Sequence, residues 1–430
     1  MGISRRRWMK ANLAGAAAAG ALGALGADAA PQSSGSRHVP KAFEGLKPLG
    51  DRIHPITPAE FAARREHAQK LMAAAEPAFD ALYVTSGSSL YYYTGFHWGL
   101  SERLMAFVLP RKGEPLFVSP AFEADRLREL AKPPAEIRTW EEDESPYALV
   151  VSGLADRGIR AGRIAVEERV PFFFYDGLRR AGAGFEFGSA DPVTIGCRAQ
   201  KSAAELDLMR TACSATVDCY RAVFASIEEG MTERDVNGLV RLGFERQGLE
   251  GGALVLFGKW AAQPHGTTIP QKLRDGDVVL IDGGTSVEGY ASDVTRMTVF
   301  GKPAEKHRRA FDAVHHAQEA ALGAARAGRL SGTVDDAARG VIAAAGYPGG
   351  YKVFTHRLGH GIGLDCHEHP YLVRGSRTVL APGMTFSNEP GIYLTGDFGL
   401  RLEDDMVITA DGPAQLLTPG LQTSLEKPCG

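Results

Sequence analysis

Asp277-Val278-Val279-Leu280-Ile281-Asp282-Gly283-Gly284 is an apolar, strand-like run that ends in a carboxylate, and Tyr290-Ala291-Ser292-Asp293-Val294-Thr295-Arg296-Met297 returns with a second carboxylate in its middle. A buried acid is costly unless something pairs with it. Read as a hairpin centred between Val287 and Glu288, the two runs set Asp282 and Asp293 directly opposite, with Cβ atoms roughly 5 Å apart. Like charges at that distance repel, and cations between them turn the repulsion into binding.

A second pair of runs repeats the pattern. Met384 to Asn388 and Leu400 to Ile408 flank a turn at Gly396-Asp397 and place Glu389 opposite Glu403. Four carboxylates become candidates for one cluster, although spacing alone does not bring the two hairpins together. His360, in His356-Arg357-Leu358-Gly359-His360-Gly361-Ile362-Gly363, adds a nitrogen donor among glycines that permit close backbone approach. Two aspartates, two glutamates and a neutral histidine carry four negative charges and so balance two divalent ions. Oxygen-rich ligation favours manganese or cobalt, with zinc the remaining option. Taken singly, each residue has a duller reading: Asp282 as a turn residue, Asp293 with Arg296 as a surface pair, Glu403-Asp404-Asp405 as a solvated acidic run.

Together these segments resemble the pita-bread metallopeptidases, specifically the Xaa-Pro dipeptidases (prolidases) and Xaa-Pro aminopeptidases. The match runs from about residue 50 to 412 and is most specific at Leu280 to Gly284, Ser292 to Arg296, Gly359 to Leu364, Asn388 to Gly391 and Arg401 to Asp405. The resemblance implies that Asp282 binds one metal, Asp293 and Glu403 bridge two, and His360 with Glu389 hold the other. It marks His265, His356 and His367 as substrate-contacting histidines, Glu389 as the proton relay and Arg401 as support for the metal carboxylates. The implied activity is hydrolysis of the peptide bond preceding proline. The alternatives are an aminopeptidase acting on longer peptides, another amide or phosphotriester hydrolase, and last a non-catalytic peptide-binding module. One departure concerns substrate length: some dipeptidases of the group have an arginine four residues after the His367 position, where this chain has Tyr371, and Arg374 or Arg377 would have to replace it.

Working outward, the 430 residues, 44% hydrophobic and 23% charged, suit two globular domains. The formal charge of −3 gives no general reason to expect nucleic acid or an anionic membrane as partner; the expected partners are a proline-containing peptide and a second copy of the chain in a homodimer. Short apolar runs at Ala81 to Val84 and Leu104 to Leu109 alternate with helical patterns, the first helix opened by Thr57-Pro58-Ala59-Glu60. This predicts an α/β N-terminal domain over 51–195. Hairpins interleaved with helices, at about Pro303 to Ala327 and Val334 to Ala345, predict an α+β pita-bread catalytic domain over 196–430. Tyr92 to Trp98 either reaches a neighbouring subunit's site, as the resemblance implies, or packs in the core, and the vicinal His315 and His316 read as solvated.

Ser4-Arg5-Arg6-Arg7-Trp8-Met9-Lys10 resembles a twin-arginine export signature before an Ala/Gly/Leu-rich stretch, and Ala27-Asp28-Ala29 supplies an A-x-A cleavage site. Residues 1–29 are therefore expected to address the protein to the bacterial periplasm, with 30–50 as a linker and no membrane span in the mature form. Five scattered cysteines (Cys197, Cys213, Cys219, Cys366, Cys429) contain no C-x-x-C and indicate neither a zinc knuckle nor a disulfide framework. Cys213 and Cys219 lie six apart on a predicted helix and diverge.

Overall fold

The computed structural model describes residues 39–131 and 135–430. Residues 42–430 form one compact unit; residues 1–41 form another, described only from residue 39. The expected export segment lies outside the described residues. Among those described, no helix is long and apolar enough to cross a membrane.

The N-terminal half is built on a mixed six-stranded sheet in the order β4-β3-β2-β1-β5-β6: β1 Ala81–Val84, β2 Ala106–Pro110, β3 Leu116–Pro120, β4 Glu136–Trp140, β5 Gly162–Val166 and β6 Phe185–Ser189. Strands β1 to β3 are buried on both faces, which is why they read as continuous apolar runs and not as alternation. Helices cover both sides, as an α/β domain requires. The first, Pro58–Ala74, is capped by Thr57, whose hydroxyl accepts from the Glu60 N–H at 3.3 Å. The Glu60 carboxylate does not close the box; it accepts instead from the Ser202 hydroxyl at 2.5 Å.

The second half is α+β. Helix Ala203–Phe224 opens with a reciprocal Ser202/Glu205 capping box and helix Glu233–Arg246 with a Thr232/Asp235 one. Three antiparallel strands follow in the order β10-β8-β7 (β7 Gly251–Phe257, β8 Val278–Val287, β10 Val294–Val299), with the short β9 Tyr290–Ala291 paired to β8. A five-stranded sheet has the order β12-β11-β13-β16-β17: β11 Gly359–Gly361, β12 Glu368–Leu372, β13 Thr385–Asn388, β16 Asp404–Val407 and β17 Gln415–Leu416. The hairpin β14 Gly391–Leu394 with β15 Phe398–Arg401 stands apart from it. Helices Glu305–Ala324 and Ser331–Ala344 bury one face each against these sheets, and Leu280, Met297, Phe311, Val314, Leu358, Phe386, Leu400 and Met406 share one core.

Tyr92, Tyr93 and Phe96 are buried in the chain's own core, so the packing alternative holds for them. The Tyr91 hydroxyl donates to Glu288 O at 2.9 Å. His316 is exposed, but the ring of His315 stacks on Phe311 and is half-buried, against the expectation that both are solvated. All five cysteines are free.

Candidate metal centre

The β8–β10 hairpin turns at Glu288-Gly289, with φ of 48° and 80°. Two positive φ values are what the tight I′ hairpin turn demands, and glycine meets the second without strain. The turn therefore sits one residue later than the sequence reading put it, which moves the register by two. Asp282 pairs with Thr295, not with Asp293. A shift of two preserves the face, because strand side chains alternate, so Asp293 lies diagonally from Asp282 and on the same face. Asp293 occupies the break between β9 and β10, where its N–H donates to Asp405 Oδ2 at 3.0 Å.

The second hairpin has the expected register: Asn388 pairs with Asp404 and Gly391 with Arg401. Glu389 and Glu403 fall in the gap between these two ladders, freed from sheet pairing with each other. Glu403 instead bridges to Thr295, and this bridge is what the sequence could not supply. The Thr295 hydroxyl lies 2.9 Å from Asp282 Oδ1 and 2.7 Å from Glu403 Oε2, tying one carboxylate from each hairpin. The acidic run that follows is not solvated: Asp404 is wholly buried against Arg296 and Thr418, and Asp405 is buried with Cys213 and the Asp293 N–H.

His360 comes from β11. Its Nδ1 lies 3.2 Å from Gly361 O, a group that can only accept, so Nδ1 carries the proton and Nε2 presents its lone pair. Nε2 is 3.4 Å from Glu389 Oε1 and 3.8 Å from Asp293 Oδ2. Donor atoms of Asp293, His360 and Glu403 all lie within 4.8 Å of one another. The other histidines surround this group. His367 packs on the His360 ring with centroids 3.9 Å apart, and His356 Nδ1 is 3.6 Å from Glu389 Oε2. His265 follows the short helix Gly258–Ala262 and faces solvent.

Arg401 donates to Asp282 Oδ2, to the Tyr393 hydroxyl at 2.8 Å, to Thr295 Oγ1 at 3.3 Å and to Pro264 O at 3.4 Å, next to His265. Tyr393 in turn is 2.7 Å from His356 Nε2, while His356 Nδ1 is 2.8 Å from Arg357 O. The only consistent proton arrangement has Arg401 donating to Tyr393, Tyr393 to His356, and His356 to the Arg357 carbonyl. Both nitrogens of His356 are thus engaged within the chain. Sequence reasoning missed Tyr393 and Thr295; nothing but their spacing from Arg401 and Asp293 could have marked them.

The electrostatics test whether cations suit the cluster. Burial, with the charge of Asp282 beside it, pushes Asp293 up to about 7. Burial likewise pushes Glu389 up to about 8 and raises Glu403 strongly. Only Asp282 lies below its usual range, because the Arg401 guanidinium and the Thr295 hydroxyl outweigh its burial. His360 is driven down to about 3 by burial and by His367, so it is neutral. Three carboxylates that cannot all ionise together, facing a neutral imidazole lone pair, form a donor set that fits divalent cations.

Residues 207–410 match the model for metallopeptidase family M24, and 64–200 match the creatinase/prolidase N-terminal domain. "Probable dipeptidase PepE" of Mycobacterium tuberculosis is 36% identical over 355 residues, covering 80% of this chain and 93% of the relative. The chain belongs to metallopeptidase family M24. Its fold is similar to that of dipeptidase PepE from Mycobacterium ulcerans (35% identity, TM-score 0.79, 85% of this chain and 98% of that one). It is also similar to a prolidase from Thermococcus sibiricus (30% identity, TM-score 0.75, 84% and 97%). It is accordingly a metallopeptidase acting on peptides, with the pita-bread catalytic fold behind a creatinase-type N-terminal domain.

Proposed function

We propose that this family M24 peptidase hydrolyses the bond preceding proline in Xaa-Pro dipeptides, with two divalent ions, manganese or cobalt, held by Asp282, Asp293, His360, Glu389 and Glu403. The observation that carries the two-ion reading is the junction at Thr295. It ties the Asp282 and Glu403 carboxylates beside Asp293 and Glu389, and of these four Arg401 pairs with Asp282.

Bound ions would supply Lewis acidity and a water acidic near neutral pH. The chain's own residues do the rest. Glu389, within reach of His360 and His356, takes the proton of the attacking water and delivers it to the leaving nitrogen. His265 and His367 make no side-chain hydrogen bonds among the described residues and face the solvent side, free to meet the substrate carbonyl. His356, with both nitrogens occupied, acts through Tyr393 by fixing its hydroxyl.

The dipeptide reading rests on a third arginine. Arg374 turns to Asp336 at 3.5 Å and lies over Tyr351. Arg357 instead lies 4.3 Å over the ring of Tyr371, the position at which the resemblance implies an arginine in some dipeptidases, and its charge is felt by His360 and His367. Its guanidinium has no ion pair or hydrogen bond among the described residues, which leaves it to receive a substrate carboxylate. The names of the relatives, dipeptidases and a prolidase, agree with this reading.

A substrate panel tests it: Xaa-Pro should be cleaved far faster than the matching Xaa-Ala, and equal rates would leave a metallopeptidase without proline preference. The reading extends to a homodimer exported by the twin-arginine route, and sequencing the mature N-terminus, expected at Ala30, decides the export part.

A further inference from the structure

The proposed reaction makes no use of the Cys366 thiol, which lies at the centre. Its Sγ donates to Asp293 Oδ2 at 3.0 Å. Donor atoms of Asp293, Cys366 and His367 lie within 4.8 Å of one another, a carboxylate, a thiol and an imidazole facing one point. Neighbouring residues of a strand would send Cys366 and His367 to opposite faces. They converge because 363–367 form a bend ahead of β12.

That bend is held from both sides. Asp365 takes Arg198 at 2.6 Å and Arg169 at 2.7 Å. Glu368 takes Arg198 at 2.5 Å and Lys201 at 2.5 Å. The Gly363 N–H donates to Asp365 O at 3.0 Å. The two donors are therefore flanked by anchored residues and need little reorganisation to accept an ion. Cys366 is partly accessible and His367 exposed, so an ion can enter from solvent.

We propose that Asp293, Cys366 and His367 form a thiolate-containing cation site at the mouth of the centre, which captures soft divalent ions such as zinc or cadmium and thereby inhibits the peptidase. Three protein donors of N, O and S type with a remaining open position suit zinc, whereas manganese prefers the oxygen-rich set behind. On binding, the Cys366 S–H bond gives way to an S–metal bond and its proton leaves to solvent. The ion takes His367 away from the substrate and Asp293 away from the inner ions, which is how occupancy inhibits. The site shares Asp293 with the proposed metal centre and rests on that reading to this extent.

Cadmium titrated alone into manganese-loaded protein tests the site through thiolate-to-cadmium charge-transfer absorption in the ultraviolet. Parent protein and Cys429→Ser should both develop the band, Cys366→Val should not, and the zinc concentration that halves activity should rise about tenfold or more in Cys366→Val. Persistence of the band in Cys366→Val, its absence from the parent at saturating cadmium, or an unchanged zinc midpoint overturns the proposal. Manganese stoichiometry of Cys366→Val, measured separately, reports on the inner centre alone, so failure of the two readings is distinguishable.

Discussion

Thr295 and Glu403 pair through their backbones, each N–H on the other's carbonyl at 3.3 Å, and the Thr295 hydroxyl reaches the Glu403 carboxylate as well as that of Asp282. The backbone bridge joins the two hairpins and the hydroxyl aims their carboxylates. Thr295→Val keeps the first and removes the second. Metal affinity should fall about 10- to 100-fold, the usual cost of losing a group that orients ligands, with the thermal transition of the metal-free protein little changed. Titration with manganese, read against thermal unfolding, separates the two effects.

Tyr393→Phe should leave the metals bound and slow turnover. The phenol is shared by Arg401 and His356, and its loss leaves a buried donor and a buried acceptor unpaired, about 1–3 kcal/mol each. The expected outcome is a fall in kcat of about tenfold or more with full metal content. Loss of bound metal in this variant would mean that Tyr393 supports the ligands and not the reaction.

Metal should stabilise the protein more at higher pH. Asp293 and Glu389, raised to about 7 and about 8 by burial and neighbouring charge, have folded values above their unfolded ones. Their contribution to stability is complete below the unfolded carboxylate value and is lost as pH rises through 7 to 8. Cations reverse that loss by stabilising the ionised forms and displacing the protons. The gain in Tm on adding manganese should therefore grow between pH 6 and pH 8, and a gain that shrinks over that range would contradict the cluster's electrostatics.

The anchor of the bend has the opposite sign. Glu368 is buried, yet Lys201 and Arg198 more than offset that burial and hold its carboxyl below the usual range. A depressed value gives stability that is present above the unfolded value, about 4.3, and is lost as pH falls through the folded one. Glu368→Gln leaves two buried cations short of a partner and should cost about 3–5 kcal/mol near neutrality. The difference from the parent should narrow below about pH 4, as denaturant titrations at two pH values would report.

The apolar run ending at Asp282 and the Gly396 turn were legible because burial and glycine leave strong local marks, and the second hairpin's register follows from them. The sequence reading centres the first turn on Val287-Glu288, one residue before Glu288-Gly289, since a non-glycine at positive φ carries little signal, and the difference moves Asp293 from opposite Asp282 to its diagonal. The meeting of Thr295 with Glu403, and of Tyr393 with His356, spans long sequence separations that no periodicity encodes. The candidate ligands stood out because carboxylates in apolar strands violate the pattern around them; Thr295 and Tyr393 fit their strands and so gave no warning.

Arg357 offers the sharpest test of substrate length. Its guanidinium rests on Tyr371 without an ionic partner among the described residues, while Arg374 is committed to Asp336. If Arg357 receives the free carboxylate of an Xaa-Pro dipeptide, the charge-assisted contact is worth about 1.5–3 kcal/mol. Arg357→Gln should then lower kcat/KM for the dipeptide about 10- to 150-fold. Amidating the proline carboxylate should cost the parent a similar factor and cost the variant nothing more, because the two changes remove the same contact. Arg374→Gln should behave like the parent with both substrates. A variant of Arg357 that still distinguishes the acid from the amide would place the carboxylate elsewhere, and Xaa-Pro-Xaa tripeptides cleaved as fast as Xaa-Pro by the parent would move the enzyme to the aminopeptidase side of its family.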